Sequence, residues 1–457
     1  MTPLARQHQI TEVLLLLGIV LCGLFVPSET DASASNIAER GVAEPGAPFA
    51  PAPAVDVTSA DSTPLGASIV DASIADAILE RIEWLAFDRL STIEGVSVLS
   101  GDLLNELYSA VSHAPLWESR EQVEALWTLA EIAHREGLNT ADYPLDALGE
   151  ALGLVGLPVG ANQRASLDIL ATETFLRIGY QLRFGKVTPE QHFAAWNFQR
   201  SLAEGQERVD TILGVIRSPS LVEAVNQITN RGVLFDEFIG MLAELREVEA
   251  RGGWPKVPEG PTLRPAMSDG RVLALRARLG IPASLSDSPL YDDGLKEQVR
   301  GFQERHGLDA DGIAGGKTIA AMNVPVSERI LQVRASLERA RWIFDDYQNL
   351  SGGIVIVNIA SAQVAFWNGR EQIWSGRAQV GLPYRQTPVF RGDMTYLEFN
   401  PTWTVPPTIL KKDVLPRLRL EGEAYLEEKN MDLLDLDGRP VPLEGLDWEN
   451  LGRSGFP

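Results

Sequence analysis

The sequence predicts an α+β multidomain protein, on three observations. Apolar residues recur at helical spacing through most of residues 74–266, a compact helical unit with its own turn chemistry follows at 267–324, and beyond residue 351 the pattern changes to short β-branched runs broken by prolines. A chain of 457 residues has room for about two to four domains. With 45% hydrophobic and 22% charged residues, the composition is that of a globular protein. A net charge of -22 and the absence of a dense Lys/Arg run exclude nucleic acid as a partner, because a polyanion requires a clustered basic surface.

At the N-terminus, Arg6 precedes an apolar run from Val13 to Val26, then Pro27 and the small residues Ala32-Ser33-Ala34. This order predicts a signal peptide over 1–34, cleaved after Ala34. A permanent anchor is the second choice, since the run is shorter than the roughly 20 residues that span a bilayer. The single cysteine, Cys22, lies in that run behind Leu21, where a lipoprotein signal would have a small residue, so lipidation is not expected. Residues 35–73, rich in Ala, Pro, Ser, Gly and Asp, read as a disordered tether.

In the region 74–266, Leu167, Leu170, Phe175, Ile178 and Leu182 place one apolar face on a helix from Arg164 to Phe184, which Gly185 ends. A helix from Met241 to Val248 is broken at Gly252-Gly253-Trp254-Pro255. Tyr108, Trp117 and Phe184 read as large apolar core side chains, and His113, His134 and His192 do not stand at metal-ligand spacing. The unit at 267–324 reads as three helices, Val272–Leu279, Gly294–His306 and Lys317–Met322, with a turn at Asp311-Gly312 and a core of Phe302, Leu308, Ile313 and Met322. Residues 325–350 hold one more helix, Pro325–Tyr347, capped by Ser327, with Ile330, Val333, Leu337, Ala340 and Phe344 on its buried face and Trp342 at a core or interface position.

Beyond Ser351-Gly352-Gly353, strands are expected at Ile354–Ile359, Val364–Trp367 and Gln372–Val380, and a further extended run at Thr395–Phe399. Thr387-Pro388, Asn400-Pro401 and Pro406-Pro407 interrupt this region. From Ile409 the pattern is helical and acidic, and Met431–Val441 is a short extended piece ending at the turn Asp437–Pro440.

Two sets of motifs carry a family resemblance. Phe302-Gln303-x-x-His306-Gly307-Leu308, Asp311-Gly312-Ile313-x-Gly315 and Thr318 resemble the peptidoglycan-binding module attached to many wall-acting enzymes, with Gly316 where that family usually has proline. Gly381-Leu-Pro-Tyr384-Arg-Gln-Thr387-Pro-Val-Phe and Phe399-Asn400-Pro-Thr-Trp403-Thr-Val-Pro406-Pro resemble the catalytic domain of periplasmic L,D-transpeptidases, and Asn105–Trp117, Gly137–Pro144 and Leu182–Val187 resemble the scaffold of the larger members. The resemblance implies a helical scaffold, a three-helix peptidoglycan-binding module inserted into it, and an incomplete mainly-β L,D-transpeptidase catalytic domain over 351–457. It further implies peptidoglycan stem peptides and glycan as partners, alongside other wall synthases; the signal-peptide pattern predicts a periplasmic location, and the sequence carries no metal, nucleotide or flavin signature, so no cofactor is expected. Tyr384, Thr387, Asn400, Trp403 and Pro406 match the family's motif positions and would shape a substrate groove or position a lid begun after Ile409. The alternative is architecture: Pro406 fixing a bend, Trp403 packing, and Asn400 capping the turn before Pro401.

In that family a cysteine thiolate, with a histidine in a Ser-His-Gly-Cys type motif, attacks the carbonyl before a terminal D-alanine, and the amine of a second stem resolves the acyl-enzyme into a cross-link. No histidine follows His306 and no cysteine follows Cys22, so no catalytic residue is assigned. Ser375 and Thr387 have no histidine nearby in sequence, and the carboxylates after Glu421 read as a solvated face. The sequence is therefore expected to be the N-terminal part of an L,D-transpeptidase, ending ahead of the cysteine motif. The alternatives are an exported non-catalytic peptidoglycan-binding protein and, for the helical region, a purely structural adaptor.

Overall fold

The computed structural model describes residues 70–87, 92–153, 160–193, 196–198, 203–229, 232–282, 287–348, 353–369, 371–382, 385–399, 401–435 and 437–450. The expected signal peptide, Cys22 and nearly all of the tether lie outside them, as do Tyr384, Asn400 and the side chain of Phe344. Among the described residues no helix is long and apolar enough to cross a membrane. The chain divides into two units at Arg391/Gly392.

In the first unit, the scaffold comprises α1 (Val70–Phe87), a hairpin of β1 (Thr92–Ile93) and β2 (Val96–Ser97), α2 (Gly101–Ala110), α3 (Arg120–Arg135), α4 (Leu145–Gly153), α5 (Ala161–Phe184), α6 (Gly205–Ile216), α7 (Leu221–Ile228) and α8 (Gly232–Ala250). Helix α3 starts at a capping box in which Ser119 and Gln122 exchange side chain and backbone bonds. Helices α1, α3 and α4 pack around α5. The expected amphipathic pattern of α5 needs correction, because every residue from Arg164 to Leu176 is buried.

Its polar residues are matched from distant parts of the chain. The Asp168 carboxylate accepts from Tyr108 Oη (2.8 Å), Leu116 N (2.9 Å) and Trp117 N (3.2 Å). Thr172 Oγ1 takes the Trp117 indole N–H (2.9 Å) and lies 2.8 Å from Tyr108 Oη. Arg164 donates to the Trp117 carbonyl (2.6 Å). Tyr108 and Trp117 are thus core residues with a polar function as well. Burial drives the Asp168 carboxyl above its usual range against the pull of these donors, and raises the Tyr108 hydroxyl well above its own. Glu173 accepts from Leu99 N and Ser100 N, holding a carboxylate at the start of α2.

Helices α9 (Arg271–Arg278), α10 (Asp293–Arg305) and α11 (Gly316–Asn323) form a second core that includes Val272, Leu275, Leu295, Phe302, Ile319 and Met322. Val257 and Leu263 belong to it, so its packing begins ahead of Met267; Ile313 is only half-buried, and Ala314 beside it is the buried residue. The two ends of this module are joined at a neck. Asn323 pairs both ways with the Val257 backbone (2.8 Å each), and the Trp254 indole donates to the Val324 carbonyl (3.0 Å).

Helix α12 (Val326–Gln348) then returns to the scaffold, where Ile330, Val333, Leu337 and Ala340 pack on Phe235, Phe238 and Leu242 of α8. Ser327 lies inside the first turn of α12 instead of capping it, because the helix already begins at Val326. Arg334 and Arg341 donate to the carbonyls of Gly137 (2.7 Å) and Glu136 (2.9 Å) at the C-terminal end of α3. Glu338 Oε1 accepts from Lys186 N (2.7 Å), Val187 N (2.8 Å) and the Trp342 indole (3.2 Å). Gly185, at φ +81°, permits this approach, since a Cβ there would collide with the Glu338 carboxylate.

Strands β3 (Gly353–Asn358), β4 (Gln363–Asn368) and β5 (Glu371–Arg377) make an antiparallel meander with an irregularity at Phe366/Trp367. The third strand stops at Arg377, short of Val380.

In the second unit, Pro407–Ile409 and a π-helical stretch, Leu410–Val414, lead into α13 (Leu415–Glu421), with α14 (Glu423–Lys429) following. Val414, Leu415, Leu418, Leu426 and Leu433 form a small core, and Leu434 bridges to Pro440 across the expected turn. The extended run at Thr395–Phe399 is not a strand: no described strand pairs with it, and Tyr396, Leu397 and Phe399 are exposed. A strand without a ladder partner has no means of satisfying its backbone except water.

Replacing Asp168 with Ala leaves several buried donors without their acceptor. We expect a loss on the order of 3–5 kcal/mol of scaffold stability, read as a lower urea midpoint by circular dichroism, and a smaller loss for Asp168→Asn.

Candidate functional site

Of the motif residues of the β-region, the described Thr387, Trp403 and Pro406 lie outside the strands. Gly381 N donates to Thr387 Oγ1 (2.7 Å), and Arg385 N to the Leu382 carbonyl (2.8 Å), so Gly381 and Thr387 are held together. Thr387 therefore acts first as a fastener. A Cβ on Gly381 would run into the Arg385 carbonyl.

Farther along, the Arg391 backbone is held by Asn197, whose Oδ1 accepts from Arg391 N (2.7 Å) and whose Nδ2 donates to Arg391 O (2.6 Å). Asn197 sits in an aromatic loop: Phe193 and Trp196 pack edge-on against Trp342 of α12, and Phe198 lies against Trp196. The sequence reading missed this clamp. Its one signal is the aromatic density of Phe193-x-x-Trp196-Asn197-Phe198.

In the second unit, Trp403 is 68% exposed, against the alternative in which it packs. Pro406 stands at the N-terminal boundary of the Pro407–Ile409 turn, and its carbonyl accepts from Leu410 N (2.9 Å). Of the five groove candidates, Thr387 thus falls in the first unit and Trp403 and Pro406 in the second.

Four of the eight motif residues of the helical module, Gln303, Asp311, Gly312 and Thr318, form one network with Gln303 at its centre. The buried Gln303 amide donates toward Asp311 Oδ1 (2.9 Å), the Ile313 carbonyl (3.0 Å) and Thr318 Oγ1 (3.1 Å), while its oxygen accepts from Gly312 N (2.8 Å). Asp311 also accepts from Ile313 N (2.9 Å), and that bond, ahead of Gln303, holds its carboxyl below the usual range. Gly312 has φ +69° and lies so close to Lys296 that a Cβ would meet the Lys296 backbone carbonyl at 3.1 Å. Gly307 continues the chain from α10 at φ +64°, with Leu308 half-buried on the core, and Gly315 precedes α11. Phe302 is core, stacked by His306 at 3.8 Å between ring centres.

Burial, reinforced by Arg329, Arg305 and Arg278, pushes His306 down to about 4 despite the bond that its Nδ1 makes to the Phe302 carbonyl. Arg278, stacked 4.2 Å above Trp254, is itself brought down to about 10 by burial and by Arg329. Among the described residues, no group of three or more His, Cys, Asp or Glu is placed to hold a metal ion.

Comparison with known families matches each of these regions. The "Scaffold domain" model covers residues 102–236, the "Putative peptidoglycan binding domain" model residues 275–322, and the "L,D-transpeptidase catalytic domain" model residues 352–451. In chain order the protein therefore matches a scaffold domain, a peptidoglycan-binding domain and an L,D-transpeptidase catalytic domain. A Haemophilus influenzae protein described as "Putative L,D-transpeptidase" is 30% identical over 138 residues, which are 30% of this chain and 27% of that protein. The chain thus spans about a quarter of that relative's length. The catalytic-domain match takes in the meander and every groove candidate, and the peptidoglycan-binding match takes in the whole Gln303 network.

Because His306 is neutral in the folded module and would bind a proton near 6.5 when unfolded, the unfolded state takes up more protons between the two values. Module stability is therefore present above about pH 6.5 and is lost as pH falls toward 4, by on the order of 2–3 kcal/mol. Hydrogen exchange of the α10 amides checks this, and His306→Leu flattens the dependence. Asn197→Ala removes two bonds worth about 1 kcal/mol each. We expect faster exchange at Arg391 with the melting temperature nearly unchanged.

Proposed function

We propose that this protein is the scaffold, wall-binding and framework portion of a peptidoglycan L,D-transpeptidase, exported to the periplasm for cell-wall biogenesis, where acyl-enzyme transfer cross-links stem peptides. One observation carries the reading: a peptidoglycan-binding domain sits between α8 and α12 of a scaffold whose last helix runs on into an L,D-transpeptidase catalytic domain. Tying wall binding to transfer raises the local concentration of stem peptide. Within the proposal, Tyr384, Thr387, Asn400, Trp403 and Pro406 stand at the positions of the family's groove motif, and the exposed Trp403 indole is a surface for substrate.

The family's nucleophile is a cysteine served by a histidine, and residues 351–457 contain neither. The chemistry requires residues other than these.

Two measurements test the proposal. The purified chain should be retained by isolated sacculi, and the gene should read in frame beyond codon 457 into a Ser-His-Gly-Cys type motif. A stop codon there, with a native protein of matching mass, removes the transferase half of the proposal. Failure to be retained by sacculi removes the wall-binding half.

A further inference from the structure

A groove of about 360 Å³ opens on the scaffold where α1 meets the β1–β2 hairpin and the start of α5. That volume is at the small end of the range for ligand sites. None of its lining residues belongs to the loops and motifs described above, and its α1 and hairpin walls precede the matched scaffold segment. Its lining includes Glu80, Arg81, Trp84, Glu94, Asn162 and Ser166.

Three features set it apart. While Ile78, Ile82 and Leu85 of α1 are buried, the neighbouring Trp84 indole is 72% exposed, so its large apolar ring does no packing for the core. The hairpin turns at Glu94-Gly95 with φ of +48° and +77°, the primed geometry that Asn-Gly or Asp-Gly fill without strain. A glutamate held there places a carboxylate on the groove wall at a cost to the local backbone. Arg81 is engaged in the wall itself, through Nε to Ser166 Oγ (3.2 Å) and Nη1 to Asn162 Oδ1 (3.1 Å), which fixes the Asn162 amide by its oxygen.

Two carboxylates against one engaged arginine disfavour an anion. An exposed indole ringed by carboxylate, amide and hydroxyl groups suits a ligand with an apolar C–H face and a polar rim, which is the form of a pyranose ring. We propose that this groove binds the glycan strand of the wall polymer, an uncharged N-acetylated amino sugar stacking on Trp84 while Glu80, Glu94 and Asn162 bond its hydroxyl and acetamido groups. The proposal rests on the peptidoglycan reading and adds a glycan contact separate from the inserted module.

The test uses the full chain with two probes: intact sacculi, and peptide-free strands made of N-acetylglucosamine alone, which carry no lactyl carboxylate. Wild-type protein should bind the peptide-free strands, and Trp84→Ala should weaken that binding at least tenfold, with the melting temperature unchanged because the side chain is exposed. Trp84→Phe should restore part of the loss. Equal binding by wild type and Trp84→Ala overturns the proposal. Retention on sacculi without any binding to peptide-free strands also overturns it and leaves the peptidoglycan reading standing. Failure on both probes overturns the two together.

Discussion

The architecture of the first unit depends on one helix satisfying backbone groups that other helices leave open. Helix α12 sends Arg334 and Arg341 to carbonyls at the C-terminal end of α3, and Glu338 to the two N–H groups that follow α5. Each charge meets the backbone dipoles it complements, cation to carbonyl and carboxylate to N–H. Apolar packing against α8 supplies most of the adhesion, but these bonds set rotation and register, because a slip of one residue would turn all three side chains away. Everything downstream begins from a helix placed in this way, since β3 follows it directly in the chain.

How much of this was legible in the sequence depended on how local the determining contacts were. The three module helices begin and end within a residue or so of expectation, because their turn and cap signals lie within a few positions of the boundaries they set. Helix α5 was placed correctly and its surroundings were not. Its period suggested one wet face, yet Asp168, Thr172 and Glu173 are covered by partners some sixty to seventy positions away, such as Tyr108 and Leu99. No local pattern reports such pairing. The Thr395–Phe399 run shows the converse failure, a β-like composition without a neighbouring strand to complete it.

The motif at the centre of the helical module is consumed by its own fold. Gln303, Asp311, Gly312 and Thr318 spend their bonding capacity on one another, so the pattern that makes the family identifiable encodes the loop that joins α10 to α11. The motif thus serves the fold first, with Asp311 the member of this set left exposed. The same holds at Thr387, whose hydroxyl accepts from Gly381 N. The Asn197 clamp and the Trp84 groove drew no attention in the sequence because an exposed aromatic or amide is indistinguishable there from an ordinary surface residue.

The neck formed by Asn323, Val257 and Trp254 bears on the order of folding. Helices α8 and α12 share a core but are separated in sequence by the entire module, and closing so long a loop carries a large entropic cost. Once Val257 and Asn323 have paired, the chain between the two helices is effectively ten residues long, 251–257 and 323–325. The insert then behaves as a clasp, lowering the barrier to the α8–α12 contact and so to the seating of α12 on α3 and α5.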